Sequence, residues 1–202
     1  MLYYLFEYLE TEYQLPGATL FRFLTFRAGL SVLLSLILAT VYGNRIIGLL
    51  RRTQVGETVR DLGLEGQKEK TGTPTMGGII IILATLIPTL LFARLDNVYV
   101  LLLIGTMLWM GAIGFIDDYL MQIKKRSQGL TVRKKLLLQL AFAIVTGIFV
   151  FARPDFDTRV AIPFFKKISP DLGWGYVIFA ALVIVGTSNA VNLTDGLDGL
   201  AG

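Results

Sequence analysis

An all-α bundle of membrane-spanning helices is the fold class this sequence predicts, and three observations predict it. The chain is 54% hydrophobic with a mean hydropathy of +0.64, too apolar for an ordinary soluble domain. Its apolar residues come in blocks of near-membrane length rather than spread through one core. Between the blocks lie stretches that hold most of the Lys and Arg. The net charge of +4 therefore reads as topology and anionic lipid contact, not as nucleic-acid binding. There is no cysteine, which excludes a disulfide framework and thiolate metal sites. There is no histidine, so any chemistry must rest on Asp, Glu, Lys, Tyr or a metal held by oxygens.

In chain order, residues 1–20 are aromatic and acidic, broken by Pro16-Gly17, and read as an interfacial segment. Glu7, Glu10 and Glu12 stand where a basic leader would begin, so no cleavable signal peptide is expected. Ala28 to Tyr42, extended over Phe23 and Phe26, is span one. A polar loop follows to about Thr75. Met76 to Ala93 is span two, with Pro88 inside it, which a membrane helix tolerates when neighbours satisfy the freed carbonyl. Arg94 to Asp96 is a turn, and Asn97 to Ile116 is span three. A basic loop holds Lys124, Lys125, Arg126, Arg133, Lys134 and Lys135. Leu136 to Ala152 is span four, Arg153 to Asp171 a mixed polar segment, and Trp174 to about Val191 span five. The loops after spans one and three carry six Lys/Arg each, against one after span two and four after span four. The positive-inside rule then puts the N-terminus outside and the ends of spans three and five at the cytoplasm. No internal repeat breaks the chain, which reads as a single integral membrane domain over residues 1–202.

Three polar clusters reach that cytoplasmic face. Asp117-Asp118 ends the uncharged run of span three. Paired acids at a membrane edge are costly unless used, and a divalent metal such as magnesium relieves their repulsion. The plainer alternative is an interface anchor. Lys70 to Gly78 precedes span two. Its glycines and helix start suit phosphate oxygens, or it is an ordinary loop before a small-residue helix start. Ser188 to Gly199 holds Asn189, Asn192, Thr194, Asp195 and Asp198. As a helix it sets Asp195 and Asp198 on one face; as a tight loop it uses Gly196 and Gly199. Either form offers donors and acceptors to a nucleobase, a ribose or a metal. Together the clusters fit metal-assisted chemistry on a phosphate, with a soluble phosphorylated donor meeting a lipid acceptor.

Lys70 to Gly78, Gly114 to Tyr119, Gly129-Leu130 with Lys135, and Asn189 to Gly199 resemble the signature blocks of the phospho-N-acetylmuramoyl-pentapeptide-transferase family. The likeness runs over essentially the whole chain, and Thr73 to Gly78 and Asn192 to Gly199 are its most specific parts. It implies a bacterial inner-membrane enzyme of peptidoglycan synthesis. Such an enzyme passes phospho-N-acetylmuramoyl-pentapeptide from its UDP-linked donor to undecaprenyl phosphate, giving lipid I and UMP with Mg2+. It also implies a homodimer. By position, Asp117, Asp118, Lys70 and Lys135 would be catalytic-site residues, with Asp117 and Asp118 also toward the metal. Lys70 and Thr75 would lie by the substrate phosphates, Asn192 and Asp195 by the nucleoside portion, and Gly196, Leu197 and Asp198 by uracil, with Asn189 a further substrate-binding residue.

Two departures stand out. Met121 occupies a place where the family usually has lysine, and Lys124 lies nearby. The family also carries about twice as many spans, with a further metal aspartate and a histidine-rich motif in the second half. The 202-residue chain is thus expected to be an incomplete catalyst by itself. Three other readings compete. One is a related transferase using UDP-N-acetylglucosamine. Another is a transporter or channel part, which the scarcity of charge inside the spans disfavours. The third is a structural membrane partner whose acids serve only as interface anchors.

Overall fold

The computed structural model describes residues 1–53, 76–122, 124, 129–162 and 169–194. Among these the chain is helical, with one isolated antiparallel bridge, Arg159 to Asp171, and no strand. It forms two compact units, Met1–Gly129 and Leu130–Gly202.

In the first unit, α1 spans Leu2–Tyr13 and stops where Gln14 turns left-handed at φ 49°. Gly17, at φ 86°, then opens a short 3-10 helix, Ala18–Arg22. The two pack through stacked Phe6 and Phe21 rings, 3.8 Å apart, and Glu10 pairs with Arg22 at 2.9 Å. Next come α2, Leu24–Ile37, a π-turn, Leu38–Tyr42, and α3, Gly43–Thr53. The apolar stretch Leu24–Leu50 is 27 residues, a rise of about 40 Å, so it outreaches a roughly 30 Å hydrocarbon core. Arg45 and Arg52 lie exposed at or just past its end.

Helix α4, Gly78–Phe92, packs between α2 and α5, Val98–Gln122. Its last carbonyls have no partner within the helix and would be costly bare in an apolar setting. Cationic donors take them. The Met1 amine bonds the carbonyls of Leu90 and Leu91, and Arg27 Nη1 bonds that of Phe92 at 3.0 Å. Arg27 is 6% exposed, its charge spread 4.7 Å above the Tyr3 ring. At the α4–α5 turn, Arg94 forks onto Asp96 at 2.6 and 3.3 Å, and the Tyr4 hydroxyl donates to the same carboxylate at 2.8 Å. These donors, Arg94 first, hold Asp96 down to a pKa of about 2.

The second unit is an antiparallel pair, α6, Val132–Phe151, on α7, Gly175–Thr194. Gln139, Ala143 and Gly147 form the buried seam of α6 at every fourth residue. Gly147 lets the helices close up: a side-chain carbon there would stand 3.3 to 3.5 Å from Val177 atoms. Close approach through small residues is how membrane helices gain dispersion contact.

The outer faces stay apolar and open, with Leu24 73%, Leu103 72% and Leu182 68% exposed. That is the pattern of helices solvated by lipid, and among the described residues four helices are long and apolar enough to cross. The expected span two is the exception. Its helix has 15 residues, a rise of about 22 Å. The boundaries of spans three and four also move. α5 runs on past Ile116 to Gln122, so Asp117 and Asp118 lie within the helix rather than after it. Arg133, Lys134 and Lys135 belong to the first turn of α6 rather than to a loop, because α6 begins at Val132.

Candidate functional site

Adjacent residues on a helix point about 100° apart, so α5 sends its two acids in different directions. Both are half-buried. Asp118 closes one end of a groove of about 590 Å3 between α4 and α5, whose walls include Ile79, Ile82, Leu83, Leu108 and Gly111. Asp117 instead meets Gly129, where the chain returns after α5. A carboxylate at the end of an apolar groove suits a molecule with a polar head and a hydrocarbon tail.

Met76, which opens the same groove, is buried at φ 67°. A left-handed methionine costs about 1–2 kcal/mol and persists only where its surroundings enforce it. It stands within the expected phosphate-binding cluster, Lys70 to Gly78. Lys70 and Thr75 of that cluster lie outside the described residues, as do Asp195, Gly196, Leu197 and Asp198.

Of the remaining expected site residues, Lys135 sits in the first turn of α6, its backbone N–H donating to the Thr131 carbonyl at 3.0 Å. Asn192 is exposed near the end of α7. Asn189 is half-buried and committed within the pair of helices: its amide donates to Gln139 Oε1 and to the Val185 carbonyl, both at 2.8 Å. Gln139 in turn donates to Ser188 Oγ at 3.3 Å. Reading the sequence passed over Gln139. Its signal was present: an amide inside the otherwise uncharged span four needs a partner.

Among the described residues no three acids converge on a metal position. Magnesium binds through one or two carboxylates and completes its shell with water and phosphate oxygens. Asp117 and Asp118 carry carboxylates of that kind, and α5 turns them to different sides, Asp118 to the groove and Asp117 to Gly129.

The family model described as glycosyl transferase family 4 matches residues 99–202, which run from the start of α5, through both acids, to the end of the chain. The chain belongs to glycosyl transferase family 4. Three relatives give this family assignment detail. The chain is 50% identical over its whole length to a protein of Desulforapulum autotrophicum named phospho-N-acetylmuramoyl-pentapeptide-transferase, covering 55% of it. It is 45% identical to the protein of that name from Porphyromonas gingivalis, covering 57%, and 44% to that from Flavobacterium johnsoniae, covering 60%. In both of these the whole of this chain is aligned. The chain thus spans a little over half the length of the curated relatives it matches. With its apolar helices, this family-4 chain is a multi-pass membrane protein.

Proposed function

We propose that the protein to which this chain belongs makes lipid I. It would transfer phospho-N-acetylmuramoyl-pentapeptide from the UDP-linked donor to undecaprenyl phosphate. The observation that carries this reading is the identity of 41 to 50% with relatives named for that transfer, across 99 to 100% of the chain, with Asp117 and Asp118 where the likeness puts the catalytic acids. The α4–α5 groove supports a lipid acceptor, since it leads from apolar walls to Asp118.

In this reaction an oxygen of the lipid phosphate attacks the sugar-linked phosphorus of the donor. The P–O bond to the uridine-bearing phosphate breaks, and UMP leaves. Asp117 accepts any proton held by the lipid phosphate, and Asp118 with Asp117 offers oxygens to magnesium. Asp117 and Asp118 would hold magnesium, which would supply charge neutralisation for the phosphoryl oxygens. Lys70 and Thr75 would lie by the substrate phosphates, and Lys135 would match a cationic residue of the family's site. Asn192 and Asp195 hold the nucleoside, Gly196 to Asp198 the uracil. Asn189 shapes that end of α7 through its bond to Gln139.

The likeness to the family also supports five crossings with the N-terminus outside, the site on the cytoplasmic side of the bacterial inner membrane, a single membrane domain, and a homodimer. Helix α4 then crosses as a short span, with the bilayer or flanking residues making up the difference. The donor is tested on the protein of the full reading frame, in detergent with undecaprenyl phosphate and Mg2+. UMP is released with UDP-N-acetylmuramoyl-pentapeptide, and a chelator abolishes turnover until Mg2+ is returned. Release only with UDP-N-acetylglucosamine assigns the other transferase of this kind.

A further inference from the structure

The return of the chain to Asp117 carries a further inference, which rests on the proposed role of that acid. We propose that Gly129 is a positioning residue: it seats the Asp117 carboxylate and must lack a side chain to do so. A carbon added at Gly129 would overlap Asp117 Oδ1 and stand 2.9 Å from the Asp117 carbonyl oxygen and 3.1 Å from its carboxyl carbon. All three nearest atoms are those of one residue, twelve positions back along the chain.

Other glycines show how specific this is. Gly105 and Gly114, on the same α5, would meet nothing within 4 Å. At Gly111 the added carbon would meet only the end of the Ile82 side chain, which can rotate aside. Among the described glycines Gly129 is the only one whose new carbon comes within 3 Å of backbone. Nor is its backbone in the left-handed region, unlike Gly17 at φ 86° and Gly173 at φ 46°. Glycine is required at 129 for space, not for its dihedral freedom. The bare α-carbon acts as a wall against which the carboxylate rests, and the wall limits the rotamers open to Asp117. An alanine there pushes the carboxylate off its place or drives the returning chain away from α5.

The test uses Gly129→Ala in the full-reading-frame protein, with Gly105→Ala as the control of equal bulk. A reacting group displaced by about 1 Å costs on the order of 100-fold in turnover. Gly129→Ala should lose kcat on that scale, with KM for the UDP-linked donor within about 3-fold of wild type. Gly105→Ala should match wild type. In an Asp117→Asn background the Gly129→Ala effect on the residual turnover should shrink, because both changes act on one group. Wild-type kcat in Gly129→Ala, or an undiminished loss beside Asp117→Asn, would overturn the proposal.

A melting cycle on the full-reading-frame protein is independent of turnover. Gly129→Ala should lower the melting temperature less once Asp117→Ala has removed the carboxylate. An equal drop in both backgrounds overturns the seating even where the variant is too unstable to assay. If Asp117→Asn itself turns over like wild type, the reaction assignment fails, and the melting cycle still decides the contact.

Discussion

Single side chains decide more here than their number suggests. Arg27 is buried, and it satisfies the Phe92 carbonyl while lying over the Tyr3 ring. Arg27→Ala should lower stability by about 1–3 kcal/mol, the penalty for a buried acceptor left bare, read as a lower melting temperature in detergent. Asp96 gives a prediction in pH. Its folded pKa is about 2 against an ordinary 3.8, so the stabilisation is fully present above 3.8 and fades as pH falls toward about 2. Asp96→Asn should therefore melt below wild type at pH 5, and the gap should close as the buffer approaches pH 2. A gap that widens on acidification would contradict the Arg94 and Tyr4 bonds as its source. Asp117 and Asp118 were legible as candidates in the sequence because two acids ended an uncharged run. Their divergence is not legible from the end of that run; the turn of α5 sends one to the groove and one to Gly129.

Between elements, packing outweighs polar pairing. The Gln139–Asn189–Ser188 bonds join α6 to α7, but hydrogen bonds between membrane helices average only about 0.6 kcal/mol. Gly147 holds the backbone approach itself, since a side-chain carbon added there would stand only 3.3 Å from Val177. Overpacking such a position costs about 1–3 kcal/mol. Gly147→Leu should thus destabilise more than Gln139→Leu in parallel melts, and the reverse order would mean that the polar bonds carry the pair. The existence of these helices was readable from composition alone. Their ends were not: α6 takes in Arg133 to Lys135 and α5 takes in both acids, because a helix goes on hydrogen-bonding through charged residues once it leaves the apolar layer. Helix α4 came out shorter than its apolar block, with Met76 held left-handed at its entrance.

At the scale of the molecule, the all-α membrane class followed from blocks of apolar residues, and the exposed leucines of α2, α5 and α7 agree with it. Orientation rests on the distribution of Lys and Arg. These 202 residues contain no cysteine, so within them an introduced thiol is the only one to label. Asp96→Cys should react with an impermeant maleimide added outside the cell, and Lys124→Cys only after lysis. Labelling of both from outside would remove α5 from the set of crossings. If the inner end of α5 does phosphoryl-transfer chemistry, its two acids are needed for turnover. The decisive measurement is lipid I formation by Asp117→Asn and Asp118→Asn in the full-reading-frame protein, beside wild type. Each substitution should lower kcat by at least about 100-fold while the protein still folds and inserts. Near-wild-type turnover in both would contradict it and leave the two acids as anchors at the membrane surface.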